Sequence, residues 1–299
     1  MNLHDDMKGA FSAFYTPFDQ QDKINVSMIE KLVEYQIAEG IEGFYVTGAT
    51  GEFLLLDESE RELVLESVIR FNRGRAKVVA HVGHASTPIA VRLARHAARS
   101  GADWISSVAP IYFGTSFEGA IRHYTAIAQA TDLPFMIYAY EQKIIPERDA
   151  RLFDIPNVMG MKYTGKDYFS VQCLTRLLDK PIRLFAGSDE QLTAALAMGI
   201  FHGGIGTTYN IIPRHFAEIC RLMNEGNVHA ACRIQDEANR VIELMISSEN
   251  RSYGKAMMKY LGFDCGWCRS PFGPITETEY QDFVRRIEQL GLLHSRLTV

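Results

Sequence analysis

The sequence lacks an excess of basic charge and lacks long apolar runs. Its 299 residues include 31 Lys and Arg against 36 Asp and Glu, a formal net charge of -5. This balance gives no basic field for nucleic acid or for an anionic membrane. No uninterrupted apolar run reaches the roughly 18 residues of a membrane span, and residues 1–6 carry acids where a signal peptide carries basic residues. We therefore expect a soluble, cytoplasmic protein whose partners are small molecules or copies of itself.

Cysteine is scarce and odd in number. The five cysteines are spread over the second half of the chain, which favours free thiols in a reducing compartment over a disulfide framework. Cys265-x-x-Cys268 is only half of a zinc ribbon, and His81-x-x-His84 has no acidic partner nearby. Zinc requires three or four well-placed ligands. The sequence therefore predicts no metal site and no cofactor.

Nucleotide-binding signatures are also missing. A doubly wound open sheet would carry a fingerprint such as G-x-G-x-x-G after its first strand, and none is present. The glycine-containing segment Gly48-Ala49-Thr50-Gly51-Glu52 lacks the lysine of a P-loop. Both absences argue against a nucleotide-binding fold.

What the sequence does contain is a repeated strand and helix pattern. Predicted strands cover residues 9–17, 43–47, 77–82, 104–108, 135–138, 157–164, 182–186 and 203–207. Helix starts are predicted at Ser27-x-x-Glu30, Asp57-x-x-Glu60 and Thr87-Pro88, and several helices end at a glycine before the next strand. Short apolar strands that alternate with helices specify a parallel sheet with right-handed crossovers.

Eight such units within about 220 residues predict a (β/α)₈ TIM barrel, the α/β architecture that typically takes about 250 residues. The open doubly wound sheet is the main alternative. The remaining chain is predicted to be helical, with a last helix opened by Thr276-x-x-Glu279. We expect a barrel over residues 1–225 and a C-terminal helical extension over residues 226–299.

A lysine occupies the sixth predicted strand. Lys162 lies in Asn157-Val158-Met159-Gly160-Met161-Lys162-Tyr163-Thr164, where an apolar residue is expected. Burial disfavours the ammonium form and lowers the pKa, which makes a lysine a neutral nucleophile able to form a Schiff base with a ketone. Alternatively, Lys162 sits at the strand end and reaches solvent.

Polar residues follow several other strands, at the barrel end where active sites lie. The loop around Thr50 offers backbone N–H groups to a carboxylate, or is a plain tight turn. Tyr138 and Tyr112 are phenols that transfer protons, or are partly buried core residues. Asp189 binds a polyol, or caps a helix. The acids at 189 and 190 would repel phosphate, so a neutral hydroxylated tail is favoured over a sugar phosphate.

Taken together, four motifs resemble the dihydrodipicolinate synthase and N-acetylneuraminate lyase superfamily. They are Gly-x-Thr-Gly-Glu after strand two, the tyrosine of strand five, Gly-x-Lys-x-Thr in strand six, and Gly-x-Gly-Thr-Thr-Tyr-Asn after strand eight. The resemblance covers almost the whole chain. It implies a barrel, usually tetrameric, that forms a Schiff base with pyruvate or another 2-oxo acid. The segments at 187–190 and 268–274 are most similar to the N-acetylneuraminate lyases, which implies reversible cleavage of sialic acid to N-acetylmannosamine and pyruvate.

The resemblance also implies roles for individual residues. Lys162 would be the Schiff-base nucleophile, and Tyr138 the proton relay, completed by Tyr112, possibly across a subunit interface. The 2-oxo acid carboxylate would be held by Gly48, Ala49 and Thr50. The sugar chain would be held by Thr164, Gly187, Asp189, Glu190 and Thr207.

Several positions depart from the family pattern. Ala49 stands where the lyases have serine and the synthases threonine, so one hydroxyl is lost. Tyr138-Ala139-Tyr140-Glu141 replaces the usual Tyr-Asn-x-Pro, Lys143 falls where the synthases carry an arginine, and Thr207 replaces serine. Besides the lyase, two hypotheses therefore stay open: a dehydratase or synthase acting on another 2-oxo acid, and a sugar-acid sensor without catalysis.

Overall fold

The structure is a computed structural model that describes residues 7–110, 114–247 and 250–292. Eight parallel strands form a closed barrel in sequential order, and β1 pairs with β8 to complete it. The strands are β1 Gly9–Ala13, β2 Gly43–Val46, β3 Lys77–His81, β4 Trp104–Val108, β5 Phe135–Tyr140, β6 Val158–Thr164, β7 Arg183–Ala186 and β8 Gly203–Gly206. The predicted (β/α)₈ barrel is confirmed, and the open sheet is wrong.

Helices connect the strands and continue beyond the barrel. They are α1 Val26–Ala38, α2 Glu58–Asn72, α3 Thr87–Ser100, α4 Phe117–Ala128, α5 Pro146–Asp149, α6 Tyr168–Arg176, α7 Leu192–Ala197, α8 Pro213–Asn224, α9 Val228–Ile246, α10 Ser252–Tyr260 and α11 Glu277–Leu290. None of the helices formed by the described residues combines the length and apolar character that a bilayer crossing requires. The predicted division at residue 225 stays a prediction.

Helix starts agree with the sequence at two positions and differ at two. Asp57 and Thr276 form capping boxes as predicted. The predicted start at Ser27 is wrong, because Asn25 is the N-cap and its side chain accepts from the Met28 N–H. Thr87 is the first helical residue rather than the cap, and its hydroxyl meets the His123 ring at 2.8 Å. A short polar side chain at either of two positions one or two residues apart can cap a helix, which limits this kind of prediction.

Strand ends also shift. The first strand ends at Ala13 rather than at residue 17, and β5 extends to Tyr140. The helix predicted from Glu190 begins instead as a 3₁₀ turn at Asp189–Gln191 before α7. Between β5 and β6 lie the single helical turn α5 and a 3₁₀ helix at Ala150–Asp154. The sequence predicts no helix in this segment.

Alternation along each strand separates two apolar layers. Outward residues pack under the helices in one large cluster, which contains Met161 and Tyr163 of β6. Inward residues fill the barrel, and among them are Phe11, Tyr45, Trp104, Met136, Tyr138 and Phe185. Because side chains alternate with a period of two, Lys162 between Met161 and Tyr163 points into the barrel.

Candidate active site

Lys162 lies inside the barrel, where its amine is placed between two aromatic rings. Its Nζ lies 4.6 Å from the ring centroid of Tyr45 and 4.4 Å from that of Tyr138. Only 5% of the residue is exposed. The alternative in which Lys162 reaches solvent is therefore wrong. Two aromatic faces stabilise the ammonium form without supplying a counterion in direct contact.

Burial changes the protonation of this amine. Loss of hydration lowers the pKa of Lys162 from 10.5 to about 8, and the negative charge of Asp189 partly opposes this shift. At pH 7, one unit below this pKa, roughly a tenth of the amine is unprotonated, far more than for a lysine with the usual pKa. Such a lysine can attack a carbonyl carbon.

Tyr138 is the phenol nearest this amine in strand register, since it pairs with Lys162 between β5 and β6. Burial raises the pKa of Tyr138 to about 12, and the neighbouring Thr164 hydroxyl partly opposes this shift. Its ring packs edge-on against Tyr45 and Tyr140, at centroid separations of 6.1 Å and 5.9 Å. The group is a protonated phenol at neutral pH, so it can pass a proton on but does not act as a permanent anionic base.

The loop after β2 carries Gly48, Ala49 and Thr50. The Glu52 N–H donates to the Ala49 carbonyl at 3.1 Å, which closes a tight turn. Gly48 is required here, because a Cβ at this position would lie 2.6 Å from the Tyr45 ring. Thr50 Oγ1 lies 2.6 Å from Thr207 Oγ1. The structure thus brings together two of the predicted binding residues from opposite ends of the barrel sequence.

Asp189, after β7, is buried and does not cap a helix. Its Oδ2 accepts hydrogen bonds from the Thr208 N–H at 2.8 Å and the Thr208 hydroxyl at 2.7 Å. Burial raises the pKa of Asp189, an effect opposed first by these Thr208 bonds and then by Lys162. The N-cap alternative is wrong, and the carboxylate instead joins β7 to the loop after β8.

Gly187 follows β7 directly and lies against two side chains of β6. A Cβ at this position would lie 2.0 Å from Thr164 Oγ1 and 3.1 Å from Lys162 Cε. A side chain at position 187 would therefore displace Thr164 and crowd Lys162, which favours glycine there.

Two cavities flank these buried groups. One of about 260 Å³ is lined by Thr50 and Thr207 together with Tyr15, Met245, Ile246, Asn250, Arg251, Gly254 and Cys268. The other, of about 630 Å³, is lined by Thr164, Gly187 and Glu190 together with residues 141–143, 165–167, Tyr163 and Ser188. Lys162, Tyr138 and Asp189 are buried close to these residues. Five of the predicted binding residues therefore line one or the other of these two openings.

A larger groove of about 730 Å³ lies elsewhere, between residues 18–28 and 259–274. Its lining includes Trp267 and Arg269 and does not include Lys162 or Tyr138. Lys162, and not this groove, is the candidate active site, because a reaction requires a reactive group, which volume alone does not supply.

The half-motifs for zinc lie in structural positions. Cys265 and Cys268 are buried thiols, and burial raises the pKa of Cys268 to about 11. The His81 ring contacts the Thr47 carbonyl through Nδ1 at 2.9 Å and accepts from the Val108 N–H through Nε2 at 3.3 Å. Within the described parts of the chain, no three His, Cys, Asp or Glu residues are grouped so that they could hold a metal ion. Tyr112, the second predicted phenol, lies outside the described residues.

Comparison with known proteins identifies the family. The Dihydrodipicolinate synthetase family matches residues 6–290. The chain is 35% identical over 291 residues to the N-acetylneuraminate lyase of Shigella boydii serotype 4, with 95% of this chain and 97% of that protein covered. The chain belongs to the Dihydrodipicolinate synthetase family.

Solved structures agree with this membership. The N-acetylneuraminate lyase of Mycoplasma synoviae matches with a TM-score of 0.88 at 30% identity, covering 96% of this chain and 98% of that one. A catalytic lysine mutant of the Ruminococcus gnavus sialic acid aldolase matches with a TM-score of 0.90 at 27% identity, covering 97% and 99%. The family resemblance inferred from the four motifs is confirmed.

Sequence reasoning missed two groups of residues that contact the candidate site. Tyr45 faces the amine of Lys162 and donates its hydroxyl to Ser106 Oγ at 2.9 Å. Arg251, the residue just before α10, and Lys255, within α10, both contact the loop after β2. Strand alternation could have found Tyr45, because alternate residues of a barrel strand face the interior and Tyr45 is one of them. Arg251 and Lys255 carried no local signal, because their partners lie about 200 residues away.

We predict that Lys162→Met stabilises the folded protein near neutral pH. Because the pKa of Lys162 falls from 10.5 to about 8 on folding, burial of the cation opposes folding below about pH 8. Replacement by an apolar side chain removes that penalty and should raise the free energy of unfolding by about 1 to 3 kcal/mol. As pH rises from about 8 to about 10.5, the lysine becomes neutral in both states and the gain should disappear.

Urea unfolding of wild type and variant across this pH range measures the effect. Lys166→Met is the matched control, because Lys166 is an exposed lysine four residues away. A gain for Lys162→Met that does not vary with pH, or that the control reproduces, would contradict the interpretation.

Proposed function

We propose that this protein is a class I aldolase that reversibly cleaves N-acetylneuraminate into N-acetylmannosamine and pyruvate. The observation that carries the proposal is a buried amine with a pKa of about 8 between two tyrosine rings, in the interior of a family barrel. The family relatives described above act as N-acetylneuraminate lyase and sialic acid aldolase, and the latter has a catalytic lysine. A carbon–carbon lyase reaction fits both facts.

Lys162 is the proposed nucleophile. Its neutral amine attacks the carbonyl carbon of the 2-oxo acid, and loss of water gives a protonated imine. The imine withdraws electrons, so the bond between C3 and C4 of the sugar acid breaks and its electron pair forms an enamine. Protonation of that enamine and hydrolysis release pyruvate and regenerate the amine. These steps require neither a metal nor an organic cofactor.

Tyr138 is the proposed proton relay. As the carbon–carbon bond breaks, the C4 hydroxyl becomes an aldehyde and loses its proton. Because the phenol of Tyr138 is protonated at neutral pH, it accepts this proton while passing its own to a neighbouring acceptor. We propose that this acceptor is the substrate carboxylate, which the proton reaches directly or through the Thr164 hydroxyl beside the phenol. Tyr112 completes the relay in the mechanism that the resemblance implies.

The remaining predicted residues are proposed to bind the substrate. Gly48, Ala49 and Thr50 offer backbone N–H groups to the 2-oxo acid carboxylate, and Thr50 adds its hydroxyl. The polyhydroxylated tail is proposed to lie against Thr164, Gly187, Asp189, Glu190 and Thr207. Carboxylates and hydroxyls suit a neutral polyol, since they accept the hydrogen bonds that sugar hydroxyls donate.

The oligomeric state of the protein is also inferred from the family resemblance. The homotetramer implied by the resemblance, with Tyr112 reaching across an interface, stays a prediction. Sedimentation of the purified protein measures it directly.

Reduction with borohydride in the presence of pyruvate should attach a pyruvate-derived mass to Lys162. The extent of labelling at a fixed short time should rise with pH and level off above about 8, because the neutral amine is the nucleophile. Peptide mass spectrometry locates the label, and Lys162→Met is the control that should remain unlabelled. An unmodified Lys162 peptide, or an apparent pKa near 10.5, would refute the proposed nucleophile.

Tyr138→Phe should lower kcat for the cleavage by about 10² to 10⁴, the range expected when a general acid–base group is removed. Imine formation with pyruvate should persist, since the ring that packs against Lys162 remains. Steady-state pyruvate release and borohydride labelling, measured on the same preparation, separate the two effects. Equal loss of labelling and turnover would indicate a packing defect instead.

A substrate panel tests the specificity. Pyruvate release from N-acetylneuraminate should exceed release from 2-oxo-3-deoxygluconate at equal concentration, by tenfold or more in kcat/KM. The altered residues Ala49, Tyr140 and Glu141 make this comparison necessary, because they change the loops beside Lys162. Faster turnover of 2-oxo-3-deoxygluconate, or condensation of pyruvate with aspartate semialdehyde, would identify a different 2-oxo acid enzyme.

A further inference from the structure

A buried ion pair connects the loop after β2 to the chain beyond the barrel. Lys255 Nζ of α10 lies 2.7 Å from Glu52 Oε1, and the two side chains are 0% and 2% exposed. The other oxygen, Oε2, accepts a hydrogen bond from the Arg269 backbone N–H at 2.8 Å. Lys255 also donates to the Trp267 carbonyl at 3.2 Å and lies 4.2 Å from the Phe18 ring centroid. Both charges are fully enclosed by protein.

Such a pair is poor evidence of added stability. Removing two charges from water is unfavourable, and an apolar pair of the same volume often packs equally well. A buried pair does, however, fix the relative position of the two segments that carry it, because neither charge can move away from the other. The role of this pair therefore depends on which segment the Glu52 side chain holds in position.

Glu52 belongs to the turn that carries the proposed carboxylate site. Its N–H donates to the Ala49 carbonyl at 3.1 Å, and its carbonyl accepts from the Leu55 N–H at 2.7 Å. Its φ is +61°, in the left-handed region that non-glycine residues rarely adopt. A strained turn of this kind persists only where surrounding contacts determine it. The ion pair between the Glu52 side chain and Lys255 is one of these contacts.

Two further cations from beyond the barrel reach the same loop. Arg251 donates to the Ala49 carbonyl at 3.1 Å. The Arg269 guanidinium donates to the Leu55 carbonyl at 3.0 Å and forms a bidentate pair with Glu60 at the start of α2. Three basic residues between positions 251 and 269 therefore contact residues 49–60. Contacts from beyond the barrel therefore add to those that the barrel itself makes with this turn, such as the Thr16 hydroxyl donating to the Gly51 carbonyl at 2.8 Å.

We propose that Glu52 and Lys255 are positioning residues for the 2-oxo acid carboxylate. Neither side chain touches the substrate. The Lys255 ammonium holds the Glu52 carboxylate, which holds the turn so that the backbone N–H groups of Ala49 and Thr50 face the carboxylate bound beside Lys162. This inference rests on the proposed function.

The test is the pyruvate concentration that gives half-maximal borohydride labelling of Lys162 in the full-length protein. Lys255→Met should raise this concentration about tenfold or more, because a small displacement of oriented donors has a large effect on binding. Maximal labelling at saturating pyruvate and the apparent pKa of about 8 should not change, since Lys162 keeps its surroundings. Glu52→Gln preserves the side-chain shape, should change the half-saturating concentration in the same direction, and carries the test if Lys255→Met does not fold.

Ile287→Ala provides the matched control. Ile287 is a fully buried residue of α11, so this variant weakens the same C-terminal region without touching residues 48–52. It should lower the melting temperature and leave the half-saturating pyruvate concentration at the wild-type value.

The outcomes are distinguishable. A weakened response to pyruvate in Lys255→Met or Glu52→Gln, but not in Ile287→Ala, supports the proposal. Wild-type half-saturation in the folded variants overturns it and leaves the aldolase function standing, as does an equal shift in the Ile287→Ala control. Failure of the wild-type protein to label with pyruvate overturns the function and this inference together.

Discussion

The site depends on one desolvated amine. Lys162 is held inside the barrel between the rings of Tyr45 and Tyr138, where water cannot stabilise its charge and Asp189 restores only part of that stabilisation. In water the same side chain would be an ammonium ion at neutral pH and would not attack a carbonyl. The barrel therefore does more than display a lysine, because its closed interior changes the lysine's chemistry.

Backbone geometry determines which groups surround that amine. Parallel pairing places Tyr138 level with Lys162 and Lys162 level with Phe185. The period of two along β6 directs Met161 and Tyr163 toward the helices, so the lysine alone of these three enters the interior. Loops at the carboxyl ends of β2 and β8 then meet through the hydroxyls of Thr50 and Thr207. Residues far apart in the chain are neighbours because eight strands close on themselves.

The sequence was informative where a signal is local. Alternation and glycine punctuation predicted all eight strands, and the lysine within β6 predicted a buried amine, which the structure places inside the barrel. The helix starts predicted at Ser27 and Thr87 are wrong, because Asn25 and Ser86, one or two residues earlier, are equally suitable caps and occupy the N-cap positions. Asp189 could be a cap or a site residue until its partner, Thr208, was known. Lys255 looked like an ordinary helical lysine, since only the folded chain brings it to Glu52.

Gly187 has a consequence for attempts to redesign this protein. Any side chain there would collide with Thr164 and approach Lys162, so mutagenesis for new sugars is best kept away from that position. Glu190, in the same segment, is exposed and lines the wider opening, where alternative side chains have space. The short segment between β7 and α7 thus contains one position, Gly187, that should stay glycine and another, Glu190, that mutant libraries can vary.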